Sequence, residues 1–183
     1  MNRLRSGIAA LSLFALGQPQ LAAAQACVSE AELASLFIYS MPSALESARN
    51  TCNGILQPDG FLATGTPRMI NQYAALQAEA WPEAKRALLL FADASGPTGS
   101  RAEMRNLNTT EVLRSLPDDV ARPLADAMVM QKVAEEIRPE NCQNIERVAR
   151  AIAPIAPRDA AALVATIMSM VGINEPQVCG APQ

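Results

Sequence analysis

Three observations predict an all-α fold, a compact bundle of about six to eight short helices. Apolar residues recur at helical spacing along most of the chain, and helix-start signatures precede several of these runs. No stretch of five or more residues alternates apolar and polar with β-branched enrichment, so no strand is expected. The 27 alanines after residue 26 point the same way, because alanine favours helix and lets helices approach closely.

The elements follow in order. Ser29-Glu30-Ala31-Glu32 is a capping box that opens a first helix over about residues 29–40, with Leu33, Leu36 and Phe37 on its apolar face. Pro42 is expected to reverse the chain, and Leu45, Ala48, Cys52 and Ile55 then form one face of a second helix. Pro58-Asp59-Gly60 is a turn. Gly65-Thr66-Pro67 leads into a third helix carrying Met69, Tyr73, Leu76 and Ala80, and Trp81-Pro82 either kinks it or starts another. Ala87 to Phe91 is apolar on every side, which predicts a place at the centre of the core.

Residues 94–99 read as a loop between two helical halves of a single domain, residues 27–183. Ser100 to Glu103 and Asn108 to Glu111 are two further capping signatures. Pro117-Asp118-Asp119 starts a long helix with acidic residues at the positive end of its dipole. Its apolar positions are Val120, Leu124, Met128, Val133 and Ile137, and Arg138-Pro139 ends it. A helix with Ile145, Val148, Ala149 and Ile152 follows, stopped by Pro154 and Pro157. The last helix carries Leu163, Val164, Ile167, Met170 and Val171 and closes at Gly172.

Residues 1–26 read as a secretory signal peptide: Arg3 and Arg5, an apolar stretch from Ile8 to Leu16, and the small-x-small site Ala24-Gln25-Ala26. The apolar stretch is too short to span about 30 Å of hydrocarbon, so no stable membrane span is expected after cleavage. Cys27 directly follows the cleavage position. The residues before it lack the leucine of a lipoprotein signal, which favours a soluble periplasmic or secreted chain over a lipid-anchored one. The whole chain has 15 basic and 18 acidic side chains; without residues 1–26, 13 basic and 18 acidic remain, net −5 over 157 residues. An acidic, lysine-poor chain lacks the electrostatic footprint of a nucleic-acid binder.

In an oxidising compartment the four cysteines form two disulfides. Cys27 and Cys52 flank Ser40-Met41-Pro42 almost symmetrically, so a reversal at the proline would pair them and leave Cys142 with Cys179. No two cysteines are spaced C-x-x-C and there is no histidine, so a metal site built on them is not expected.

The missing histidine also removes Ser-His, Cys-His and His-metal chemistry. No glycine-rich segment matches a phosphate loop, and no cofactor is implied. The candidate catalytic residue is Glu46. Within Ala44-Leu45-Glu46-Ser47-Ala48 it resembles the glutamate-serine pair of lytic transglycosylases, whose helical glutamate is a general acid; the family's downstream Gly-Leu-Met-Gln motif is absent. The alternative is a solvated carboxylate opposite Leu45 and Ala48. Asp118-Asp119 and Glu135-Glu136 are adjacent carboxylates that point about 100° apart on a helix, so they suit a first turn and a wet face better than a catalytic pair. Met128-Val129-Met130 and Met168-Ser169-Met170 hold soft thioethers suited to Cu(I), but sulfurs two residues apart diverge along a helix and fill core gaps more readily.

The expected function is therefore a non-enzymatic interaction module whose partner is another exported or envelope protein. A carrier of a small apolar ligand, lined by Phe37, Tyr39, Trp81 and Phe91, is the alternative, with a cell-wall hydrolase acting through Glu46 behind it.

Overall fold

The computed structural model describes residues 27–94, 109–172 and 176–179; the expected signal peptide over residues 1–26, the loop expected at 95–99 and the Ser100 capping signature lie outside them. Among the described residues the chain forms eight α-helices and no strand, which is the predicted all-α fold. These are α1 (Glu30–Cys52), α2 (Phe61–Thr64), α3 (Thr66–Ala74), α4 (Gln77–Ala94), α5 (Thr109–Ser115), α6 (Asp118–Glu136), α7 (Cys142–Ile152) and α8 (Pro157–Val171).

α1 is the mast of the bundle. It starts as expected: Ser29 Oγ accepts from the Glu32 amide, and the Glu32 carboxylate accepts from the Ser29 amide at 2.8 Å. It does not reverse at Pro42. The helix runs on to Cys52 with Pro42 inside it and buried. An internal proline costs about 3 kcal/mol of helix stability, and here its ring lies within a continuous buried stripe that includes Tyr39, Met41, Leu45 and Ala48. Tertiary packing overrides local propensity. The expected second helix is therefore the second half of the first, and Ile55, assigned to its inner face, lies beyond the helix end and is exposed.

This single correction overturns the expected cysteine pairing. A 23-residue helix is about 34 Å long, which puts Cys27 and Cys52 at opposite ends of α1. The bridges are Cys27–Cys179 and Cys52–Cys142 instead. One joins the segment before α1 to the chain after α8; the other joins the last residue of α1 to the first of α7.

Three long helices lie against α1. α4 runs antiparallel to it, as shown by Arg86 against Glu32 at one end and Gln77 donating to the Tyr39 carbonyl further along. α8 also returns antiparallel: Ser169 donates to Glu30, while Arg158 in its first turn lies beside Ser35 and Ile38. α6 runs parallel to α1. Tyr39 donates to the Arg122 carbonyl, Ser43 to Asp126 and Ser47 to the Met130 carbonyl, three bonds at the same offset of 83 residues. Each pair is one helical turn beyond the last, so the ladder sets the register of α6 on α1.

The core has two parts. The larger contains Tyr39, Leu45, Met69, Tyr73, Trp81, Leu113 and both Cys52 and Cys142. The smaller contains Val28, Leu33, Ala87, Ala165 and Val178 and sits under the Cys27–Cys179 bridge. Of the apolar run in α4 only Ala87 is fully buried; Leu88 to Phe91 are half-buried and divide between the two clusters, so the run is the flank of the core and not its centre. α4 begins at Gln77 and passes through Pro82, so Trp81-Pro82 does not start a helix.

Alanine governs the rest. On α6 the buried positions are Ala121 and Ala125, while Val120 is exposed. On α8 they are Ala160, Ala161, Ala165 and Ser169. Small side chains let these helix backbones come close to the mast, and the bulkier neighbours are turned outward. The expected stop signals hold: α6 ends before Arg138-Pro139, α7 before Pro154, and α8 at Gly172 with φ 73°, the left-handed conformation that glycine adopts without penalty.

Candidate functional site

The residues that chemistry singled out are dispersed. Glu46 lies on the solvent side of α1, its side chain 45% exposed and 3.7 Å from the Arg49 guanidinium. That placement is the solvated alternative, an ion pair one turn apart on a helix surface. Asp118 and Asp119 open α6 as expected, and Asp118 pairs with Lys85 at 3.0 Å. Glu135 accepts from Gln131 and Glu136 pairs with Lys132 at 2.7 Å, both on an exposed face.

The aromatic residues expected to line a ligand pocket are divided between the two core clusters, and of the four only Tyr39 and Trp81 form a ring pair with each other. Tyr39 and Trp81 have ring centroids 4.8 Å apart, and Phe37 meets Tyr73 edge-on at 6.0 Å. Phe91 belongs to the smaller core cluster. Trp81 is further held by Arg122 and Lys85, 5.6 and 5.8 Å from its ring. Among the described residues, no hydrogen bond of ordinary geometry reaches its indole N–H. The Asp118 carboxylate nonetheless lies close enough for that N–H, and then for Lys85, to hold its pKa below the usual value. Burial, reinforced by the Asp126 carboxylate, raises the Tyr39 hydroxyl far above its ordinary range, so Tyr39 stays a hydrogen-bond donor at every physiological pH. This cluster locks α1, α4 and α6 together.

A small groove of about 160 Å³ is lined by Ser35, Ile38, Leu76, Glu79, Ala80, Glu83 and Arg158, none of them the expected aromatic residues. Arg158 closes on Glu79 at 2.6 Å across it, linking the start of α8 to α4. The Met-x-Met pairs stand on separate helices, one on α6 and one on α8, which flank α1 independently. Met168 packs into the smaller core cluster while Met170 is exposed. Among the described residues, no group of three histidine, cysteine, aspartate or glutamate side chains is placed to hold a metal ion.

The feature that sequence reasoning missed is the outer face of α8. Leu163, Ile167, Met170 and Val171 are 52, 49, 74 and 78% exposed. With Ala162 and Thr166 they form two parallel ridges, 162-166-170 and 163-167-171, of the kind that interdigitates with another helix. The only charged residues of α8 are Arg158 and Asp159, both in its first turn. A signal was present in the alanines. Ala161, Ala165 and Ser169 recur at four-residue spacing on the face opposite the large residues, and a mast as closely surrounded as α1 accepts the small face.

No family model matches the chain, and no match was found among curated proteins or solved structures.

Proposed function

We propose that this is an exported domain, periplasmic or secreted after removal of residues 1–26, that works without catalysis by binding another exported or envelope protein through the outer face of α8. The observation that carries this reading is the exposure of Leu163, Ile167, Met170 and Val171 on a helix that is charge-free beyond its first turn. Contiguous apolar surface on a soluble domain marks an interaction site, and ridges at four-residue spacing suit an apolar groove or helix of a partner protein. An anionic membrane surface would call for lysine and arginine flanking the strip. Here Arg158 is the one cation of the helix, and Glu79 neutralises it.

Two disulfides suit a non-reducing compartment, and among the described residues no helix is long and apolar enough to cross a membrane. The Cys27 sulfur is engaged with Cys179, which leaves it no valence for a lipid and favours a soluble chain over an anchored one.

A photo-cross-linker placed at Ile167, with one at Glu135 as control, tests the reading in the native compartment. A discrete cross-linked species from position 167 is expected, weakened at least tenfold by Leu163→Gln with Met170→Gln at unchanged helicity. Equal yields from both positions, or no effect of the substitutions, would sink it.

A further inference from the structure

The two disulfides differ in what surrounds them. Cys52 and Cys142 are 2 and 0% exposed and belong to the larger core cluster, between the end of α1 and the start of α7. Cys179 is exposed and Cys27 is half-buried. Their bridge holds residues 176–179 against the start of α1 through two backbone bonds, Val28 N–H to the Gln177 carbonyl at 2.9 Å and Cys179 N–H to the Val28 carbonyl at 3.0 Å. Behind this short parallel pairing, Val28 and Val178 are fully buried against Leu33, Ala87 and Ala165. The bridge is thus a clasp over a small apolar cluster, reachable from solvent, whereas its counterpart is sealed.

We propose that Cys27–Cys179 is a site of thiol–disulfide exchange with a dithiol reductant, and that its reduction unclasps the 176–179 segment while the rest of the bundle stays folded. Exchange needs in-line approach of a thiolate to a disulfide sulfur, so access decides which bridge reacts. One thiolate of the dithiol attacks Sγ of the exposed Cys179, the S–S bond breaks, and Cys27 leaves as a thiolate that takes up a proton. The second thiol of the reductant then attacks the mixed disulfide and releases Cys179. The dithiol loses two electrons and becomes a disulfide; the bridge gains two electrons and two protons. With Val178 free to leave, Val28, Leu33, Ala87 and Ala165 lose their cover. The oxidised and reduced forms then differ in exposed apolar surface beside α8. This inference does not depend on the α8 face being a docking site.

Treating the native protein, both bridges formed, with dithiothreitol, quenching by alkylation and mapping peptides by mass spectrometry, gives the test. Cys27 and Cys179 are expected to label at least tenfold faster than Cys52 and Cys142. Hydrogen exchange should quicken at the Val28 and Cys179 amides with no change in α6 or α7. Simultaneous labelling of all four cysteines, or labelling only in denaturant, overturns the proposal. Cys27→Ser with Cys179→Ser supplies a second arm: retained helicity with added binding of a hydrophobic dye is expected, and unchanged dye binding by a folded variant counts against it. If that variant does not fold, the labelling order in the native protein decides alone.

Discussion

The two ends of α1 are fastened in opposite ways. At its C-terminal end Cys52 is bonded to Cys142 inside the main cluster with Leu62, Tyr73 and Ala149, and Glu146 of α7 accepts from the Phe61 amide at 2.9 Å. At its N-terminal end a surface bridge, one β-bridge and a five-residue cluster hold the termini of the fold together. A bridge buried in a core is part of the packing, and its loss leaves a defect that the surroundings cannot easily fill. A bridge over a small cluster acts mainly by restricting the chain. Similar covalent bonds therefore differ in consequence according to the apolar surface that depends on them.

The comparison breaks most sharply at the inner bridge. Cys52→Ala with Cys142→Ala removes a bridge spanning 90 residues and opens space among fully buried neighbours, with an expected loss of about 4 kcal/mol in urea-induced unfolding. A smaller effect is expected where α8 meets the outer cluster. Ala165→Leu forces a larger side chain between Ala87 and Leu33 and costs about 2 kcal/mol, read as a lowered midpoint. A loss there as large as at the inner bridge would erase the distinction between the ends.

The smallest effect concerns charge at the start of α1. Desolvation raises the Glu32 carboxyl, but hydrogen bonds from Ser29 and Arg86 outweigh it and leave its pKa below the ordinary 4.5. A carboxyl depressed in the folded state stabilises above its unfolded pKa, and that contribution is lost as pH falls through the folded value. Glu32→Gln should thus cost about 1 kcal/mol at pH 7. The gap from the parent protein should close in unfolding titrations below pH 4.5. A gap that persists at low pH would assign the contribution to packing and not to charge.

Much of the fold was legible. The Ser29 capping box, the acidic first turn of α6, the stop at Arg138-Pro139 and the Gly172 cap are local signals, and each acts where the sequence places it. The four-residue α2 escaped, since so short a turn has no periodicity to read. Pro42 misled because its local cost is real and was offset by burial along a mast that touches most of the bundle. The solvated placement of Glu46 followed from its helix position. The α8 face did not, because periodicity separates apolar from polar but cannot say which of two apolar faces, one of alanines and one of large residues, turns inward.

Helix content, the helix ends marked by Ser29, Pro117, Arg138-Pro139 and Gly172, and the number of disulfides were determined by the sequence alone, because a cap, a stop signal and thiol parity act over a few residues or by simple counting. Which cysteines pair, which side of α8 meets the core, and hence which bridge and which apolar face are exposed, were decided only by tertiary structure. These depend on how closely helix backbones approach and on where the ends of a 23-residue helix fall, and neither quantity is set by any residue's neighbours in the chain.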